Sequence, residues 1–279
     1  MRIVLVTLVV LISAASPSSG DAAAISSWVD NLRSDDVRKN ATRAVGNLTR
    51  AGAEAVPTLE RALGSGEHQQ RRVAATILGR FASEPYLGVA YTPTPEHIVV
   101  LIECLASDDL PIARDASGEE TSYTPADNAA VATRVLIAFP NVAYDYRVEL
   151  EDVIADGDTQ ARFLAAYILG MNGVEEAVTV AAPVLVEHLR DNEISSDAVW
   201  AAAALYRFGD AVLPHLKTDG RADEQQLRIT AHLYEIIAAP PQSQEELIDR
   251  GIDLSCIYHD AAIEYTHGRP QLEWWAFED

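Results

Sequence analysis

The sequence predicts an all-α protein, a right-handed α–α superhelix built from about six stacked helical hairpins, and three observations carry that expectation. The stretch AEAVPTLERALGSGEHQQRRVAATILGRF, from Ala53 to Phe81, reads as two amphipathic helices. Val56, Leu59 and Leu63 share one face with Pro57 in the opening turn, Gly64-Ser65-Gly66 breaks the helix, and Val73, Ala74, Ile77, Leu78 and Phe81 form a second stripe. Spacings of three and four put such residues on one side of a helix, and a proline in the first turn sacrifices no hydrogen bond. Neither stripe can be buried alone, and the pattern recurs: Arg38 to Gly46, Arg71 to Gly79 and Arg162 to Gly170 are each an R-x7-G segment, and Arg228 with Ala231 repeats its start. Pro57, Pro183 and Pro214 are each followed two positions later by leucine, which sets a second, independent register. Composition agrees, since 7% aromatic residues beside 48% hydrophobic ones favour closely packed helices over a β-sandwich.

In chain order, residues 1–23 read as a signal peptide and short leader: one arginine, an apolar run from Ile3 to Ile12, then small residues. The run is shorter than the roughly 20 residues a membrane helix needs, so export without a stable membrane anchor is expected, to a periplasmic or secreted location. Residues 24–239 form the solenoid, with units at 24–51, 52–83, 95–141, 142–172, 173–209 and 210–239. Repeats of this length signal stacked helical hairpins. Two stretches interrupt the register, SEPYLGVAYTPTP at 83–95 and SDDLPIARDASGEETSYTPAD at 107–127. In the third and fifth units Ala129 and Ala198 stand where arginine would be. Residues 240–279 read as a C-terminal helical cap and aromatic tail, with Trp274, Trp275 and Phe277 placed to cover the exposed apolar face of the last unit.

The segments VRKNATRAVGNL, QRRVAATILGRF and TQARFLAAYILGMN, with the preceding VPTLERAL, APVLVEHL and VLPHLKTD, resemble HEAT repeats, particularly the short bacterial kind also seen in phycobilisome lyase-like proteins. The resemblance spans residues 24–239 and implies a stack whose surface binds another protein. It also implies an alternative, a lyase-like or small-ligand-handling protein with a pocket between the Tyr86 to Tyr91 loop and the acidic insertion. A structural envelope component is the third reading.

The balance of 42 acidic against 21 basic residues, a net charge of −21, argues against nucleic acid and anionic lipid as partners. Motifs for catalysis are lacking: no H-E-x-x-H, G-x-S-x-G or phosphate-binding loop occurs. His259 and His267, around Asp260 and Glu264, are eight positions apart, roughly 12 Å along a helix and too far for one ion. No enzyme activity, cofactor or metal is therefore expected. Cys104 and Cys256 sit several repeats apart and read as two buried thiols rather than a bridge. The recurring arginines read as rungs of an ion-pair ladder between neighbouring units, Arg38, Arg162 and Arg228 lying close to turn acids such as Asp36, Asp158 and Asp219. The expected partner surface runs along the second helices through Thr42, Arg43, Asn47, Thr76, Arg80, Tyr167, Trp200 and Tyr206, joined by Tyr86, Tyr91 and Tyr123 in the two loops.

Overall fold

A computed structural model describes residues 21–33, 42–65, 67–106, 125–190, 196–216, 222 and 224–239. Of these residues 84% are helical and none is in a strand, as the all-α expectation requires. The helices are α1 (Asp21–Asn31), α2 (Thr42–Ala51), α3 (Val56–Leu63), α4 (His68–Ser83), α5 (Pro95–Glu103), α6 (Pro125–Ala138), α7 (Pro140–Asp145), α8 (Arg147–Asp156), α9 (Thr159–Met171), α10 (Val178–Glu187), α11 (Ser196–Arg207) and α12 (Glu224–Ala238). Residues 1–20, nearly all of the 107–127 insertion, and 240–279 with Cys256 lie outside the described residues.

Local chemistry marks several helix starts. The Thr94 hydroxyl accepts from the His97 amide (3.2 Å) at the head of α5, and the Asp158 carboxylate accepts from the Ala161 amide (2.8 Å) at the head of α9. Two prolines behave differently from Pro57. Pro183 lies inside α10, and Pro214 lies inside a seven-residue 3-10 helix, Gly209–His215, where an α-helix was expected to open the sixth unit. A proline lacks the amide that the α-helical ladder needs, so a short segment carrying one settles into the tighter form.

The packing is built around helices enclosed on several sides. Helix α4 lies against α3 and α5 and also touches α2 and α6, while α9 lies against α8 and α10 and also touches α6 and α11. Residues 72–79 of α4 and 163–170 of α9 are consequently buried all the way round. Neighbouring helices can come that close only where side chains are small. A methyl group on Gly79 would sit 2.9 Å from Val131 Cγ1 of α6, and one on Gly170 would sit 2.6 Å from Ala204 Cβ of α11. Gly79 and Gly170, two of the three glycines of the R-x7-G pattern, are thus points at which one helix leans on another.

Polar groups at the head of α4 tie units together. Gln70 Nε2 donates to the Val29 carbonyl in the last turn of α1 (2.9 Å), and its Oε1 accepts from Arg33 Nε (3.0 Å). Gln226 of α12 repeats this arrangement, with Nε2 donating to the Val186 carbonyl in the last turn of α10 (2.8 Å) and Oε1 accepting from Arg190 Nε (3.0 Å). Each glutamine adds a side-chain donor to a last-turn carbonyl, at the end of a helix where the i+4 amides run out. On the other side of α4, Arg72 Nη2 donates to the Ala106 carbonyl (3.0 Å) just past α5. The Cys104 thiol is buried, facing the Arg72 carbonyl at 3.9 Å.

The expected arginine ladder needs correction. Arg71 is such a rung, pairing with Glu103 of α5. Arg162 and Arg228 are exposed and form no ion pair among the described residues, and Arg38 lies outside them. The ladder reduces to one described rung because Arg162 and Arg228 each stand one position off a buried residue, turned to solvent, where an ion pair contributes little.

The glycine contacts set up a contrast. Gly170→Ala is expected to destabilise by about 1–3 kcal/mol through overpacking, lowering the melting temperature by several degrees. Gly46 has only Arg50 Nη2 near a built methyl, at 4.0 Å. Gly46→Ala is therefore expected to be neutral or stabilising by up to about 1 kcal/mol, and thermal melts of the two variants side by side test the explanation.

Candidate interaction site at the end of helix α4

Helix α4 stops at Ser83 because Pro85 follows Glu84, and the residue before a proline avoids the helical region. A short 3-10 turn over Pro85–Leu87 and Gly88 at φ 67° then reverse the chain. Glu84 is thereby folded back beneath the last turn of α4, where it is only 7% exposed. Arg80 reaches it with Nε (3.2 Å to each carboxylate oxygen) and Nη2 (3.1 Å to Oε2), and Arg134 of α6 reaches Oε1 with Nη1 (3.1 Å). The Tyr86 hydroxyl donates to Oε2 at 2.5 Å.

Burial alone would raise the Glu84 pKa, but hydrogen bonds from Arg80 and Tyr86 and the charges of Arg80 and Arg134 outweigh it and hold the carboxyl below its ordinary value. Burial likewise works against the Arg80 charge, and bonding to Glu84 reverses that and raises its pKa. Two guanidinium groups around one carboxylate leave one positive charge in excess. Tyr86 is 78% exposed, yet its hydroxyl is held by a buried, clamped carboxylate. An aromatic ring is thus displayed to solvent in a fixed orientation.

The loop behind this ring rests on a buried histidine. His97 is fully buried in the first turn of α5, and its Nε2 donates to the Ala75 carbonyl of α4 (2.8 Å). Desolvation lowers its pKa to about 4, so it is neutral at physiological pH, with Nδ1 buried and lacking a hydrogen-bond partner. The Tyr91 ring stands 5.5 Å from the His97 ring, and burial, helped by Glu60, pushes its pKa up to about 12. Tyr91 is half-buried and supports the loop.

Of the residues expected at a partner surface, Arg80 and Tyr86 are brought together and Tyr91 lies in the same loop. Arg43 is exposed on α2. Trp200 and Tyr206 sit on α11, which is linked to α4 only through α9 and α6, and both are half-buried against the core. Trp200 stacks on Tyr167 at 5.4 Å, and Tyr167 on Phe163 at 6.2 Å. Tyr167 is 2% exposed, and Thr76 is buried with its hydroxyl bonded to Asn128 Oδ1 (2.6 Å), so these two leave the expected surface because neighbouring second helices cover them. Tyr123 lies outside the described residues, as does the acidic insertion expected to form a pocket with the Tyr86 loop. Glu84 and Arg134 were missed. The i, i+4 spacing of Arg80 and Glu84 is a local signal for the first, whereas Arg134 arrives from another unit.

Elsewhere, a cleft of about 490 Å³ is lined by Pro183, Val186, Glu187, Arg190, Pro214 and His215. Among the described residues no group of three or more His, Cys, Asp or Glu side chains is gathered to hold a metal ion, and no helix is long and apolar enough to cross a membrane. No protein-family model matches the chain, and no curated protein matches it significantly.

The two titrating groups have separate pH windows. His97 has a folded pKa of about 4 against an unfolded value of 6.5, so the unfolded chain binds its proton first as pH falls. Its stability contribution is complete above pH 6.5 and is lost between 6.5 and about 4, at up to about 1.4 kcal/mol per pH unit. His97→Phe is expected to flatten that part of the stability profile measured by urea unfolding. Glu84 has a depressed folded pKa, so its contribution is lost only as pH falls below the ordinary carboxylate value, and Glu84→Gln is expected to cost about 1–3 kcal/mol at pH 7.

Proposed function

We propose that this chain is an exported HEAT-repeat protein, a right-handed stack of about six helical hairpins that serves as an interaction scaffold or adaptor for a protein partner. The serial contacts α2 to α4, α4 to α6, α6 to α9, α9 to α11 and α11 to α12 support the stack, and the repeated Gln70 and Gln226 clamps support a repeating register. Export rests on the apolar run from Ile3 to Ile12, and the net charge of −21 disfavours nucleic acid.

The observation that carries the binding reading is Tyr86, the most exposed large hydrophobic side chain among the described residues and yet anchored through its hydroxyl. Binding energy concentrates in aromatic and arginine anchors, and an anchor already held in one orientation loses little entropy on binding. Arg80 and Arg134, each about a third exposed, lie beside it and suit an acidic or carbonyl-rich partner segment.

A photoreactive phenylalanine analogue at position 86 is expected to cross-link one protein from envelope extract. Once that protein is purified, Tyr86→Ala should weaken binding at least tenfold with an unchanged melting temperature. Undiminished binding by Tyr86→Ala and Arg134→Ala would overturn the assignment. The cleft beside Pro183 and His215 gives the small-ligand reading a location, and a thermal shift with small ligands that His215→Ala abolishes would favour it.

A further inference from the structure

The Glu84 clamp divides unequally between its two arginines. Arg80 turns one full edge of its guanidinium to the carboxylate, with Nε at 3.2 Å and Nη2 at 3.1 Å, so its charge is met from four residues away on its own chain segment. Arg134 commits one nitrogen, Nη1 to Glu84 Oε1 at 3.1 Å. Its Nε and Nη2 carry no hydrogen bond among the described residues, and neither is shut away from solvent. Glu84 cannot serve them, because its two oxygens already accept from Arg80, Arg134 and Tyr86. Arg134 is therefore the cation in surplus.

The arginine is also well placed. It stands nine residues past Pro125, the first residue of α6, or roughly 13 Å along the helix axis, against the C-terminal end of α4. Thr133 and Val135 on either side of it are buried, which fixes the point from which its side chain leaves α6. The Nε–Nη2 edge of a guanidinium is the fork that a carboxylate fits with two parallel hydrogen bonds. One surplus positive charge balances one monoanion. A phosphomonoester, close to doubly charged at neutral pH, needs a second uncommitted cation, and Arg80 is taken. The net charge of −21 repels an acidic partner at long range, so selection must come from a short, directional contact of this kind.

We propose, on the basis of the Tyr86 binding reading, that Arg134 is the specificity-determining contact of that site and takes one partner carboxylate on its Nε–Nη2 edge. The Tyr86 ring packs on the partner chain beside that carboxylate. Arg80 is a positioning residue that holds Glu84, and the recognised group is an ionised carboxyl instead of a neutral carbonyl. A glutamate or aspartate side chain and a chain's C-terminus offer the same pair of oxygens.

NMR of the arginine Nε–H groups in the full chain, assigned through Arg134→Lys and Arg162→Lys, tests this with four probes. They are N-acetyl-Ala-Glu-Ala amide, its glutamine analogue, N-acetyl-Ala-Ala-Ala as the free acid, and the same tripeptide as the amide. The Arg134 signal is expected to shift saturably with a charged probe, with affinity about tenfold or more above that of its uncharged counterpart. Whichever charged probe binds more tightly identifies the source of the carboxylate. Tyr86→Ala is expected to weaken the glutamyl and glutamine peptides alike and to keep their ratio. Arg134→Gln, followed on the Tyr86 ring signals with its melting temperature measured alongside, is expected to bring that ratio to about one. Equal wild-type affinity for charged and uncharged probes overturns the inference, as does the lack of a saturable shift at Arg134. An equal response at Arg162, an exposed arginine without an ion pair among the described residues, overturns it too, as does a charge preference that survives Arg134→Gln. A protein cross-linked through position 86 whose binding ignores Arg134→Gln fails this inference alone, whereas the lack of any cross-linked protein fails the binding reading beneath it.

Discussion

The close approach of successive second helices is the constraint on which the rest of the structure depends. Without a side chain at Gly79 and Gly170, α4 can lean on α6 and α9 on α11, and a helix enclosed on several sides buries apolar residues around its whole circumference. Val73, Ala74, Ile77, Leu78 and Phe81 are buried in α4, and Phe163, Leu164, Ile168 and Leu169 in α9. The two facing stripes of a single hairpin bury much less. Glycine costs a helix up to about 1 kcal/mol in propensity, and packing on both sides offsets that cost.

Close packing brings helix ends against other helices, and carbonyls there accept side-chain donors from a neighbouring helix. Gln70 serves α1, Gln226 serves α10 and Arg72 serves the end of α5. The C-terminal half of α4 is held by close packing at Gly79 and by His97, which reaches the Ala75 carbonyl from α5. The Glu84 clamp is built on that rigid end, and it fixes Tyr86. The display of one aromatic ring therefore depends on packing several turns away.

Parts of the candidate site were legible from local pattern. Three prolines and two tyrosines marked an interruption at 83–95, and Arg80 stood off the apolar stripe of its helix. Glu84 and Arg134 were not read, because a buried carboxylate looks like any acid at a helix end until its cations are placed, and one of them is 50 positions away in the sequence. Phase alone also misplaced Thr76 and Tyr167: a helical wheel distinguishes the side facing the hairpin partner from the opposite side, but does not report whether another unit covers that opposite side.

By itself the sequence determined that this chain is helical, where apolar stripes fall along several of its helices, and at which spacing glycine recurs. Those properties are set by residues within a few turns of one another, through apolar periodicity, capping side chains and prolines. Only the tertiary structure decided which neighbour each polar group meets. Arg71 pairs with Glu103, Gln70 and Gln226 close carbonyls of other units, and Arg134 completes the clamp around Glu84. Such pairings depend on the offset between stacked helices, which is fixed by side-chain packing at Gly79 and Gly170 and leaves no trace in local periodicity.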